Sequence, residues 1–290
     1  MRFALTPEQD DFAGSLDKLL AAADTPSVAR AWADGDTQPG LALWKRLAEQ
    51  GLTMLATEAT PVEVCVAFEA LGRFAVPGPW VESAAYLSVL LGHEVEGIGT
   101  VAAPLALDAD VADEVYALGD GAVRRATVGE PRTSVDPTRR LFTVTPGEAV
   151  ASENLDAAWD TAVLAVSAQL LGLGEHLLEE SVAYVKQRRQ FGREIGSYQA
   201  IKHRLADVRI ALDFARPLVF GAALGEVPAS GAKVSAGQAA HLASRTALQV
   251  HGAVGYTREL DLSLWLLRTR ALVTAWGTPA QHRARVLEAL

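Results

Sequence analysis

Two long apolar periodicities meet across a short glycine-punctuated link, and few folds accommodate that pattern. Upstream, Leu164, Ala168, Leu171, Leu178, Val182 and Val185 recur at intervals of three, four or seven, which is one face of a long helix. Downstream, Ile201, Leu205, Val208 and Leu212 repeat the spacing. Gly192 and Gly196 lie between them, where backbone without Cβ suits a tight or left-handed turn. The stretch Tyr184–His203 is therefore predicted to be the corner of a helical hairpin that presents Arg188, Arg189, Gln190 and Phe191. Guanidinium forks suit phosphate, and they equally suit the negative end of a helix dipole. The residues alone fit both a ligand-binding corner and a solvated, capped helix end.

The remainder of the chain extends the helical theme with one interruption. Thr6-Pro-Glu-Gln9 reads as a capping box, and Phe12, Leu16, Leu19 and Leu20 mark the buried face of the helix it starts. A loop is predicted over Asp34–Gly40, then a helix carrying Leu43, Trp44 and Leu47. Another helix runs from Val62 to Phe74 and stops before Val76-Pro-Gly-Pro79. After Gly97 the pattern changes to short β-leaning runs, such as Glu114–Leu118 and Leu141–Val144, separated by Gly, Pro and Asp. From about Ala157 the chain is helical again. Breaks at 192–197, 225–231 and 252–256 predict four main helices in an antiparallel bundle. The expected domains are residues 1–97, 98–152 and 153–290.

Charge and cysteine usage exclude several classes. A net charge of −9 opposes a nucleic-acid partner, which needs a basic face. The single cysteine, Cys65, lies in an apolar helical run and reads as a small core residue. No uninterrupted apolar run reaches the ~18 residues of a membrane span and no signal-like start is visible, so the expected location is cytoplasmic. No zinc pattern, phosphate-binding Gly-Lys loop or nucleophile elbow occurs.

The string Arg188-Arg-Gln-Phe-Gly-Arg-Glu-Ile-Gly-Ser-Tyr-Gln-Ala-Ile-Lys-His-Arg-Leu-Ala-Asp207, followed by Gln249-Val-His-Gly-Ala-Val-Gly-Tyr256, closely resembles two ordered motifs of the acyl-CoA dehydrogenase family. The resemblance implies a mainly α fold: a helical N-terminal domain, a middle β-domain (here reduced) and a C-terminal four-helix bundle. It also implies FAD. The family residues that reach a neighbouring subunit's flavin fall here on Arg188, Phe191, Gln249 and Gly252, with Gln190 and His251 as further cofactor contacts, while Thr278 matches a threonine that contacts the subunit's own flavin. Ala253 replaces a family glycine, and His203 is expected to pack inside the hairpin. Neither histidine has a metal-ligand partner at suitable spacing.

The same resemblance shows what is missing. The family's base is a carboxylate in an apolar pocket, which takes a proton while a flavin takes the hydride. Where the family carries Tyr-Glu-Gly-Thr this chain has Ala275-Trp276-Gly277-Thr278, and the alternative base position falls on Ala162. Asp160 is the nearest substitute acid, on a different side of its helix, while Glu259 and Asp261 read as surface or structural acids. No Thr-Glu-Pro-like flavin strand is visible in the β-region. These losses imply a catalytically deficient subunit that completes the FAD site of a full-length partner, as in the heterotetrameric dehydrogenases of steroid side-chain degradation. The alternatives are an independent homomeric FAD-dependent dehydrogenase using Asp160 or another, unrecognised acid, and a non-enzymatic assembly scaffold.

Overall fold

A computed structural model describes residues 4–151 and 153–289. The chain begins as expected: the Thr6 hydroxyl accepts from the Gln9 N–H at 3.3 Å, and Gln9 Oε1 accepts from the Thr6 N–H at 3.0 Å. This box starts α1 (Pro7–Ala21), which is followed by α2 (Thr25–Ala33), α3 (Gln38–Ala48), α4 (Leu55–Glu58) and α5 (Pro61–Arg73). Cys65 is fully buried in α5, and burial raises its thiol pKa, as befits a core residue. The loop predicted over 34–40 is shorter than expected, because Gln38, Pro39 and Gly40 already form the first turn of α3. Proline is pre-set for that position, and Gly40 lies under the Trp32 ring, where a Cβ would meet Cε3 at 2.2 Å.

The prolines at 77 and 79 interrupt the helical layer without ending it. Val81–Leu87 is a π-helix that runs directly into α6 (Ser88–Leu91), and all seven π residues are buried. Such segments are rare and cluster at functional sites. This one buries Glu82.

Five strands follow, β1 (Gly99–Ala102), β2 (Ala106–Leu107), β3 (Glu114–Gly119), β4 (Ala122–Arg132) and β5 (Leu141–Ala151), in the sheet order β1-β3-β4-β5-β2. β4 escaped the sequence reading because Gly129 and Pro131 interrupt its alternation, and its ladder to β5 carries register shifts there.

The C-terminal half is built on α7 (Leu155–Gln187), with α8 (Gln199–Ala223), α9 (Ala229–His251), α10 (Leu262–Leu272) and α11 (Pro279–Glu288). The fourth helix expected after 256 is thus two helices. They part at Trp276 and Gly277, which hold positive φ values of 54° and 108°. By length and composition α7 could cross a membrane, but 89% of its most apolar window is buried, and it forms the core of the bundle. Its face toward α5 depends on small residues. A Cβ on Gly172 would meet the Glu69 carbonyl oxygen at 1.9 Å, and one on Gly72 would meet the Gln169 carbonyl oxygen at 2.1 Å.

One buried knot joins the three regions. Arg268 of α10 donates through Nε to Asp136 at 2.6 Å, through Nη2 to Thr138 at 2.6 Å and through Nη1 to the Val76 carbonyl at 2.9 Å. Trp32 adds a second tie, donating its indole N–H to buried Asp108 at 3.0 Å.

The glycines make opposite predictions within one bundle. Gly172→Ala forces two helix backbones apart and should destabilise the chain by about 2 kcal/mol or more, despite alanine's higher helix propensity. Gly237 of α9 has nothing within 4 Å of an added Cβ, so Gly237→Ala should stabilise by roughly 0.5–1 kcal/mol. Chemical denaturation of both variants checks the pair, and equal effects would contradict the close approach of α5 and α7.

Candidate functional site

The corner after α7 is a small β-hairpin, tighter than the plain turn expected. Arg189–Gln190 (β6) pairs antiparallel with Arg193–Glu194 (β7). Phe191 and Gly192 form the tip with φ of 54° and 86°, the pattern of a primed turn. Several contacts lock the hairpin from below. Arg189 bridges Glu194 at 3.1 Å, the Arg193 guanidinium lies 4.1 Å from the Tyr198 ring centroid, and the Tyr198 hydroxyl donates to the Phe191 carbonyl at 3.3 Å. The Ile195 N–H donates to the Arg188 carbonyl at 2.8 Å, which fixes the backbone from which the Arg188 side chain departs. Arg188, Gln190 and Phe191 are exposed, Phe191 to 90%. A backbone in the left-handed region that also holds a phenylalanine in solvent is costly on both counts.

The second motif lies at the same end of the bundle. His251 closes α9, its Nδ1 lies 2.8 Å from the Ala247 carbonyl, and its ring stacks on Tyr184 of the last turn of α7 at 4.2 Å. That contact brings Gln249 and Gly252, both exposed, beside the hairpin that carries Arg188. His251 is itself buried by the stack, so its ring joins the two motifs instead of facing outward. His203, expected inside the hairpin, is exposed, because the buried face of α8 runs through Val208 and Leu212. Thr278 lies elsewhere. Its hydroxyl accepts from the Gln281 N–H in the capping box of α11, and α11 binds the start of α9 through Ser230 and His282. That start is roughly 30 Å along α9 from His251. Arg188, Gln190, Phe191, Gln249 and Gly252 thus share one end of the bundle, and Thr278, matched to the subunit's own flavin, lies at the other.

The corner fits one end of a flat, phosphate-bearing cofactor such as FAD. It offers a planar guanidinium, two side-chain amides, an exposed aromatic ring and open backbone at Gly252, where nothing lies within 4 Å of an added Cβ. It encloses nothing by itself, being open to solvent on its outer side.

The positions expected to carry a base lie in a different place, between the π-helix, the start of α7 and the α10–α11 link. Trp276 packs its ring 4.8 Å from Tyr86 and 5.4 Å from Trp159. Its carbonyl accepts from His282 Nε2 at 2.9 Å, and the other nitrogen of that ring lies 3.0 Å from Ser230 Oγ. Burial lowers the His282 pKa, and nearby Lys233 adds to the shift. Ala162 is fully buried and offers only a methyl group. Asp160 is exposed; partial desolvation raises its pKa, and nearby Arg285 opposes the rise. Asp261 serves structure, accepting from Arg30 at 2.9 Å, while Glu259 is exposed.

Two residues at this place were missed from the sequence. Glu82 is only 5% exposed, and its Oε1 accepts from the Trp276 indole N–H at 3.3 Å. Burial raises its pKa, opposed chiefly by Arg139. Both line a cavity of about 320 Å³ between sheet and bundle. The available signal was a lone acid in the apolar run Trp80–Leu91.

The family model for the acyl-CoA dehydrogenase C-terminal domain matches residues 158–290. Across most of its length the chain is 31% identical to acyl-CoA dehydrogenase IpdE2 of Mycolicibacterium smegmatis, covering 90% of this chain and 92% of that protein. Its fold is similar to butyryl-CoA dehydrogenase from Megasphaera elsdenii, with TM-score 0.85 at 19% identity over 100% and 99% of the two chains. It is also similar to a chain of the ChsE4-ChsE5 complex from Mycobacterium tuberculosis, with TM-score 0.80 at 20% identity over 99% and 98%. Motifs, fold and relatives agree: the chain belongs to the acyl-CoA dehydrogenase family.

Proposed function

We propose that this chain is the base-deficient subunit of a heteromeric acyl-CoA dehydrogenase, and that it completes the FAD site of a full-length partner. The observation that carries the reading is Trp276. An indole accepts no proton, and its N–H is already donated to Glu82. Ala162 at the alternative position has no polar atom. The homomeric alternative would use Asp160, which is exposed toward Arg285 and solvent instead of being held in an apolar pocket, or another acid such as Glu82, whose Oε1 is already engaged by the Trp276 indole.

Exposed apolar groups support a partner. Ile210, Phe214 and Leu218 form a stripe at intervals of four along α8, exposed to 52%, 74% and 38%. Phe191 and Tyr256 add aromatic surface at the end where the two motifs meet. Aromatic side chains exposed this way are typical of interface cores. The similar ChsE4-ChsE5 structure is a complex of two different chains, which favours a partner of a different kind over a second copy.

When bound, FAD would supply the hydride acceptor for α,β-dehydrogenation of an acyl-CoA thioester, a bulky one such as those of steroid side-chain degradation. The task of this chain is to hold and orient. Arg188 would pair with phosphate, the side-chain amides of Gln190 and Gln249 would meet polar edges, and Phe191 would cover the flat face. Catalysis is then assigned to the partner, in the cytoplasm.

Two measurements test this. The chain purified alone should not reduce an electron acceptor with saturated acyl-CoA thioesters, and Trp276→Glu should not confer turnover, because a base without a positioned hydride acceptor supplies half of a coupled reaction. Turnover by the wild-type chain that Asp160→Asn abolishes would establish the homomeric alternative. In the complex with a full-length relative, Arg188→Ala should weaken FAD retention about ten-fold or more, since a charged hydrogen bond contributes ~1.5–3 kcal/mol. Size-exclusion chromatography should show the complex intact. Unchanged flavin occupancy in an intact complex would contradict the shared site.

A further inference from the structure

The cavity beside Trp276 has a composition of its own. Its walls are mainly aliphatic, including Val101, Leu105, Leu107 and Leu141, and it contains a carboxyl group and a guanidinium with no hydrogen bond or salt bridge between them. Glu82 enters from the π-helix. One of its oxygens holds the Trp276 indole, and the other, Oε2, is buried with no hydrogen-bond partner. Arg139 enters from the segment before β5. Its neighbour Arg140 is committed to Asp108 and Asp110, and Arg268 to Asp136, so those acids are already engaged. Among the described residues Arg139 closes no salt bridge, and the charge it feels most is Glu82.

A buried carboxyl oxygen without a partner carries a desolvation penalty that folding alone does not return. Such a group persists where a ligand or an ordered molecule completes it. At 320 Å³ the cavity is at the small end of ligand sites, which are mostly apolar with a few convergent polar groups. Its mouth opens past Ala103, Pro104 and Val135, all exposed, so a ligand can enter without opening the bundle.

We propose that this cavity binds a small apolar carboxylate, with its charged head between the Arg139 guanidinium and the Glu82 carboxyl and its hydrocarbon body along Leu105 and Leu141. Arg139 supplies the planar charged fork that suits a carboxylate. Glu82 donates through Oε2, its other oxygen being occupied by the indole, and burial favours the protonated form that such donation requires. The site belongs to this chain alone and is independent of the shared flavin corner. Either reading can fail without the other.

The test uses the full chain without a partner and octanoate as the probe, with octanamide as its neutral counterpart, followed by isothermal titration calorimetry. Octanoate should bind saturably at one site, and octanamide about ten-fold or more weaker. Arg139→Gln should weaken octanoate by about ten-fold or more. Glu82→Gln should retain most of the affinity, because its amide still donates, whereas Glu82→Ala should lose it. Val135→Trp, a change at the exposed mouth that leaves the buried groups in place, should block binding even if the interior variants do not fold. No saturable binding, equal binding of acid and amide, or full binding by folded Val135→Trp would each overturn the proposal.

Discussion

The architecture depends on how closely α5 and α7 approach. Gly72 and Gly172 let one helix backbone meet the other where any Cβ would collide with a carbonyl. Close packing of this kind makes the interface rigid, because backbone atoms have no rotamers with which to adjust. The consequences extend outward. With α7 held against α5, its first turns come beneath the α10–α11 link, and its last turn carries Tyr184 to His251. One helix thus positions both places of interest, the cavity near its start and the hairpin just past its end. Gly174, whose added Cβ would meet Leu212 Cδ2 at 2.6 Å, seats α8 on another face by the same means.

Trp276 has a structural task of its own. The indole of Trp276 fills the space among Tyr86, Trp159 and Glu82, and its N–H ties the α10–α11 link to the π-helix. The Arg268 knot lies beside it and holds the 136–138 segment against α10, so that Arg139 faces the cavity. The cavity beside Trp276 is lined by Glu82 and Arg139. The corner keeps the opposite character, its donors exposed and its hairpin braced by Tyr198 and Arg193.

Much of this was legible in the sequence where the signal was local. The periodicities around residues 164–185 and 201–212 and the Thr6 box depend on neighbours within a few residues, and the structure has them. The two-residue strands at 189–190 and 193–194 have too little length to show a period, so the sequence predicts only a plain turn there. The break at Trp276 was hidden because Gly277-Thr-Pro was read as a family string and not as a helix stop followed by a capping box. His203 lies nearly half a turn from the Val208–Leu212 face, on the outer side of α8. Glu82 lay furthest from reach. Its meaning comes from Trp276, 194 residues away in sequence, and no local pattern carries a contact of that range.

If this chain lends half of a flavin site to a partner without holding a flavin of its own, the difference is visible in the amount of bound flavin. The most direct measurement is flavin stoichiometry. The chain is purified alone and in complex with a full-length relative, and bound flavin is quantified by absorbance against total protein of each chain. The account predicts a colourless isolated chain and a complex with one flavin for each full-length partner and none beyond that. A yellow isolated chain, or a complex with a second flavin for each copy of this chain, would contradict it.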